Sequence, residues 1–218
     1  MSDRPEHVAL VGLSGSGKST LAPLLATRLG RTSVVDLDRA VEERLGATVA
    51  EIFERDGEAV FRSAETEALA EALSGAASVV ATGGGVVLSP ENRALLRSSA
   101  VTVWLRAHPD HLQQRLSGTT EARPLLEGDP EFALSRLASE RDALYSGVAD
   151  VVVDVEGLDP VGVADEVLRS LGGGHRGDAT GSTALRAGVR SGSLHGICAA
   201  PKYARVMSRV PTAPRTPA

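Results

Sequence analysis

Five short apolar runs punctuate the chain, at 7–12, 33–37, 77–82, 100–105 and 150–155, each rich in Val or Leu. Longer stretches with apolar residues at helical spacing separate them. A near-continuous apolar run suits a strand covered on both faces, as in a parallel sheet. The alternation of strand and helix predicts a doubly wound α/β fold with about five parallel strands flanked by helices. Right-handed crossovers bring the strand C-termini to one edge, where ligands bind in such sheets.

The punctuation sharpens this picture. Leu21, Leu24, Leu25 and Leu29 share a helical face that Gly30 closes. Helical spacing returns at 39–45, and Thr48 reads as the cap of a further helix with Ala50, Ile52 and Phe53 turned inward. A longer helix is expected from Glu58 to Leu73, broken at Ser74-Gly75. Ser89-Pro90-Glu91 is an N-cap followed by proline at the first helical position. Further helices are expected at 109–117, 131–145 and 159–171. At Gly172-Gly173-Gly174 periodicity stops, and the sequence predicts one domain over 1–171 and a disordered tail over 172–218, rich in Gly, Ala, Pro and Arg.

Charge divides the chain at the same place. The net charge is −5, yet from His175 onward there are seven basic residues and one acidic, leaving 16 basic and 27 acidic residues before it. An acidic body argues against a nucleic-acid-binding surface. No apolar run approaches the ~20 residues that cross a bilayer, and the polar start Met1–Glu6 lacks a signal-peptide layout. The single cysteine, Cys198, fits a reducing compartment. A cytoplasmic monomer is the expectation.

Candidate chemistry concentrates at the predicted strand ends. Gly12 to Ser19 spells G-x-x-x-x-G-K-S between the first apolar run and the first helix. In that context the backbone N–H groups of Gly15, Ser16 and Gly17, with the helix N-terminus, can cradle phosphate. Lys18 can reach the β- and γ-phosphates, and Ser19, beside Thr20, can ligate Mg²⁺. ATP or GTP binding follows. Asp36 and Asp38 end the second run, where one carboxylate could support Mg²⁺ and the other orient or deprotonate a hydroxyl; capping of the following helix by Asp38 is the competing role. The third run finishes Ala81-Thr82-Gly83 with no carboxylate, which favours a small-molecule kinase over a mechanical NTPase. Arg62, Arg123 and Arg141 remain, each able to pair bidentately with a carboxylate or phosphate.

Together these residues resemble the shikimate kinase family. The P-loop, Asp36-Leu37-Asp38, Phe61-Arg62 with Glu65, Thr82-Gly83-Gly84-Gly85-Val86-Val87, Arg123-Pro124-Leu125-Leu126, and Arg141 with Tyr145 carry the resemblance across 7–170. It implies a P-loop kinase of the nucleoside monophosphate kinase-like fold, with a lid and a substrate-binding helical segment after the second strand. It implies shikimate and ATP as substrates, Mg²⁺ as cofactor, and a place in chorismate and aromatic amino acid biosynthesis. Arg62 and Arg141 look like the pair gripping the shikimate carboxylate, and Asp38 like the residue activating the 3-hydroxyl, with Gly84 and Gly85 beside the ring. Asp36 and Ser19 would serve Mg²⁺, Arg123 would close over the phosphates, and Arg115 is similar to the residue near adenine. Two rivals stand beside this reading: a gluconate-type sugar-acid kinase, and a nucleotide-dependent binding module recruiting a partner through the basic tail.

Overall fold

A computed structural model describes residues 7–116 and 130–172. Arg123 and the region 173–218 lie outside the described residues. Five strands, β1 (His7–Val11), β2 (Ser33–Asp36), β3 (Ser78–Ala81), β4 (Ala100–Arg106) and β5 (Val151–Asp154), form one parallel sheet in the order β2-β3-β1-β4-β5. β1 is central: Val8 pairs with Val79 on one side and with Val101 on the other.

Strand alternation builds two cores. Val8 and Leu10 join Leu21, Leu25, Val163 and Val167 under helices α1 (Lys18–Arg28) and α8 (Pro160–Gly172). Ala9 and Val11 join Leu69, Leu96, Leu134 and Tyr145 on the opposite face. That face is covered by α4 (Glu58–Ser74), α5 (Pro90–Ser99) and α7 (Pro130–Val148). Every β1 residue is buried, which explains its unbroken apolar run. β5 lies at the edge and alternates instead, with Val152 44% exposed between buried Val151 and Val153.

Local chemistry sets the helix ends that frame the site. Gly30 takes φ 64° just past α1, a left-handed stop that glycine adopts without steric cost. Between β2 and α4 come α2 (Leu37–Leu45) and α3 (Val49–Arg55). Thr48 caps α3 in a reciprocal box with Glu51: the Glu51 N–H donates to Thr48 Oγ1 at 3.3 Å, and the Thr48 N–H donates to Glu51 Oε2 at 2.8 Å. The short α6 (Pro109–Leu116) follows β4.

Several boundaries differ from expectation, among them the end of α7, which runs to Val148 instead of 145. α2 begins at Leu37, because the Asp36 side chain accepts from the Arg39 N–H at 3.4 Å and caps it, so Asp38 sits inside the first turn of a helix. Val86–Leu88 forms a 3₁₀ turn directly after the glycines. α8 continues through Gly172, which the sequence pattern assigns to the tail.

Candidate active site

The P-loop joins β1 to α1 at the C-terminal edge of the sheet. Gly12, Gly15 and Gly17 take φ values of 142°, 83° and 94°, where side chains are strained. Gly12 is also enclosed: a Cβ there would stand 2.5 Å from the Leu105 carbonyl oxygen. Buried Lys18 lies across the loop, its Nζ donating to the Gly12 carbonyl at 2.7 Å and the Leu13 carbonyl at 2.9 Å.

The loop Gly83–Gly85 after β3 is where the other candidate residues meet. A Cβ on Gly83 would lie 2.6 Å from Asp38 Oδ1 and 2.7 Å from Glu65 Oε1. One on Gly84 would lie 3.3 Å from the Ser14 N of the P-loop, and one on Gly85 would lie 2.5 Å from Arg62 Cζ. On the α7 side, Arg141 Nη1 donates to the Gly84 carbonyl at 3.1 Å, and the Tyr145 hydroxyl donates to the same oxygen at 2.5 Å. The three glycines therefore bring nucleotide loop, Asp38 and two guanidinium groups within a few ångströms of one backbone segment. The need is steric: side chains here would fill the space that the charged groups occupy.

Electrostatics explain how so many charges coexist. Arg62 is clasped by Glu65 at 2.9 Å and Glu58 at 3.0 Å, each one helical turn away on α4, and its guanidinium lies 5.2 Å from the Phe61 ring centroid. Burial pushes the Asp38 carboxyl above its ordinary range, and nearby Asp36 adds to this, while Lys18 and Arg62 pull the other way. Burial likewise raises Glu65, against the opposing pull of Arg62. Glu65 Oε1 and Arg141 Nε are buried and have no hydrogen-bond partner among the described residues. Unpaired buried polar atoms are costly, so they mark positions where a ligand or water completes the site.

One cavity of about 1320 Å³ opens onto most of these groups. Gly15, Ser16, Gly17, Lys18, Ser19 and Thr20 of the P-loop and the start of α1 line it, as do Asp36 and Asp38. Arg62, Gly84, Gly85 and Arg141 line the same cavity. Arg115 also faces it, with Nη1 3.7 Å from a Cβ placed on Gly17. Arg123, expected to close over the phosphates, falls outside the described residues. Two lining residues, Pro160 and Val163 of α8, have no local signal because only strand order carries β5 and α8 to this edge. The role of Glu65 is written more openly, as a carboxylate three positions after an arginine on one helix.

A sequence-family profile described as shikimate kinase matches residues 14–172. The chain belongs to the shikimate kinase family. A shikimate kinase of Gloeobacter violaceus is 49% identical over 163 residues, spanning 74% of this chain and 90% of the relative. A Synechococcus shikimate kinase is 47% identical over 163 residues, 74% of this chain and 80% of its own length. Among solved structures, the shikimate kinase from Acinetobacter baumannii in complex with shikimate superposes with a TM-score of 0.72 at 36% identity, covering 76% of this chain and 92% of that one. These family members match the domain that carries the cavity.

Proposed function

We propose that this chain transfers the γ-phosphoryl group of ATP to the 3-hydroxyl of shikimate, giving shikimate 3-phosphate and ADP. The observation that carries the reading is the meeting of two guanidinium groups, Asp38 and the P-loop around Gly83–Gly85. Arg62 and Arg141 suit a carboxylated acceptor, because planar guanidinium forks bind carboxylate bidentately. Asp38, held above the usual carboxylate range by burial, suits a base that takes the hydroxyl proton as the acceptor oxygen attacks. Gly84 and Gly85 let the ring approach the backbone closely.

On the nucleotide side, Gly15, Ser16, Gly17 and Thr20 surround the phosphates, and Lys18 exchanges its carbonyl partners for phosphate oxygens. Ser19 and Asp36 both line the cavity and offer the hard oxygen donors that Mg²⁺ takes, with phosphates and water completing its shell. Bound there, the ion would neutralise charge on the transferred group. Arg123 would add a further positive charge from the lid. Both substrates reach groups of a single chain, so a monomer suffices, and consumption of ATP fits a cytoplasmic setting.

The test is coupled ADP release with ATP and Mg²⁺, comparing shikimate, gluconate and no acceptor, in the parent and in Arg62→Ala. A shikimate-dependent rate that falls by about 10²-fold or more in the variant is expected, since a buried carboxylate losing its partner costs several kcal/mol. Equal rates with shikimate and with no acceptor would overturn the assignment. A gluconate-dependent rate would favour the sugar-acid kinase instead.

A further inference from the structure

Tyr145 stands behind the wall of the acceptor site and does not line the cavity. It is fully buried on α7, one turn after Arg141, and its ring stacks on that of Trp104 with centroids 5.7 Å apart. Its hydroxyl donates to the Gly84 carbonyl, the oxygen that also accepts from Arg141 Nη1. A tyrosine this deep in an apolar layer could be replaced by phenylalanine if packing were its whole role. The hydroxyl is instead aimed at the carbonyl of Gly84, which Arg141 also uses.

We infer that Tyr145 is a positioning residue for the acceptor: its hydroxyl fixes the Gly84 carbonyl, and through it the Gly84–Gly85 peptide and the Arg141 guanidinium. The inference rests on the function proposed above. A peptide group flanked by glycines rotates freely unless something holds it. With the Gly84 carbonyl pinned toward α7, the following N–H of Gly85 points the opposite way within the same peptide plane. The shared acceptor also fixes Arg141 by Nη1, so the guanidinium that lines the cavity is held in one orientation. Without the tyrosine, Arg141 alone satisfies this carbonyl and the loop gains freedom about it. Burial raises the phenol well above its ordinary range, so it remains a donor throughout the working pH.

The position of Trp104 supplies an independent readout, because it is the chain's one tryptophan. Tyr145→Phe keeps the stacked ring and removes only the hydroxyl. The expected result is a shikimate KM raised about tenfold, the scale of one lost buried hydrogen bond, with ATP KM and kcat changed less than about threefold. Shikimate titrations followed by Trp104 emission should shift by the same factor, while ADP affinity and the thermal midpoint hold nearly constant. A purely structural tyrosine would lower the midpoint and leave shikimate KM where it was; that outcome overturns the inference. So would equal rises in the KM of both substrates. If the parent chain itself gives no shikimate response, the inference falls together with the proposed function; if the parent responds and Tyr145→Phe responds identically, the inference alone falls.

Discussion

Gly85→Ala separates folding from acceptor binding more cleanly than removal of a charge. Gly85 has φ −96° and ψ −2°, a conformation open to alanine, so the backbone carries no strain in the variant. The three atoms nearest the added methyl all belong to the guanidinium of Arg62, with Cζ only 2.5 Å away. Non-bonded heavy atoms settle at roughly 3.5 Å, so the guanidinium must retreat by about 1 Å. Its anchor to Glu65 is 2.9 Å long and that carboxylate is fully buried, so the retreat stretches or breaks this bond.

The cost therefore falls on position rather than on the core. Arg62 is the flexible partner and can swing toward solvent beside Glu58, which is half exposed. A charged group withdrawn from a ligand carboxylate costs about 2–4 kcal/mol of binding, a 30- to 1000-fold rise in shikimate KM. ATP affinity should be unchanged, because the atoms nearest a Cβ on Gly85 belong to Arg62 and none to the P-loop. Steady-state kinetics varying each substrate in turn, beside a thermal melt, give the answer. An unchanged shikimate KM in a folded variant would show that Arg62 does not grip the acceptor. A drop of the melting midpoint by more than about 6 °C, around 2 kcal/mol in a domain of this size, would show that Gly85 serves the fold instead.

Two further outcomes follow from buried titrating groups. Asp38 has its folded-state pKa raised by burial, so the native state holds its proton where the unfolded chain has released it, and stability falls as pH climbs from the ordinary aspartate value of 3.8 through the raised one. Asp38→Asn should therefore stabilise the protein at pH 7 by about 1 kcal/mol while abolishing turnover, with the gain fading below pH 4; urea unfolding at both pH values checks it, and a destabilised variant at pH 7 refutes it. His7 has the opposite sign: buried on β1 and accepting from the Ser78 N–H, it is held below its ordinary 6.5 first by burial and then by the charge of Arg31. Its contribution is complete above pH 6.5 and is lost as pH falls below that value, so the parent should lose stability between pH 7.5 and 5.5 more steeply than His7→Gln, and parallel curves would show that His7 does not titrate on unfolding.

The sequence disclosed those parts of the molecule that are written locally. Apolar runs marked all five strands, most continuously β1, β3 and β4, which are covered on both faces, and the P-loop could be read because its glycines, lysine and serine fall within one short window. Strand order was not legible, since periodicity records burial and not neighbours; β1 lies between β3 and β4 because of crossovers that no short window contains. For the same reason Pro160 and Val163 arrive at the cavity unannounced. The pattern offered Asp38 both as a helix cap and as a functional carboxylate. The structure gives the cap to Asp36 and turns Asp38 toward Gly83, a decision made by where the first helical turn begins.

The glycines explain why the acceptor side requires so much of the chain. Charges buried as deeply as Glu65 and Arg141 are tolerated only when each finds a partner. α4 supplies such a partner within itself, through Arg62 and Glu65, whereas Arg141 on α7 uses the Gly84 carbonyl instead. Two helices from distant parts of the sequence thus meet at a backbone segment with no side chains of its own. The same segment leans on Ser14 of the P-loop, so its position is shared by the two halves of the site. A small displacement there is felt by both guanidinium groups, while the apolar layers on either face of the sheet, which hold the fold, need not move. Acceptor binding should therefore be more sensitive to substitution around Gly83–Gly85 than global stability is.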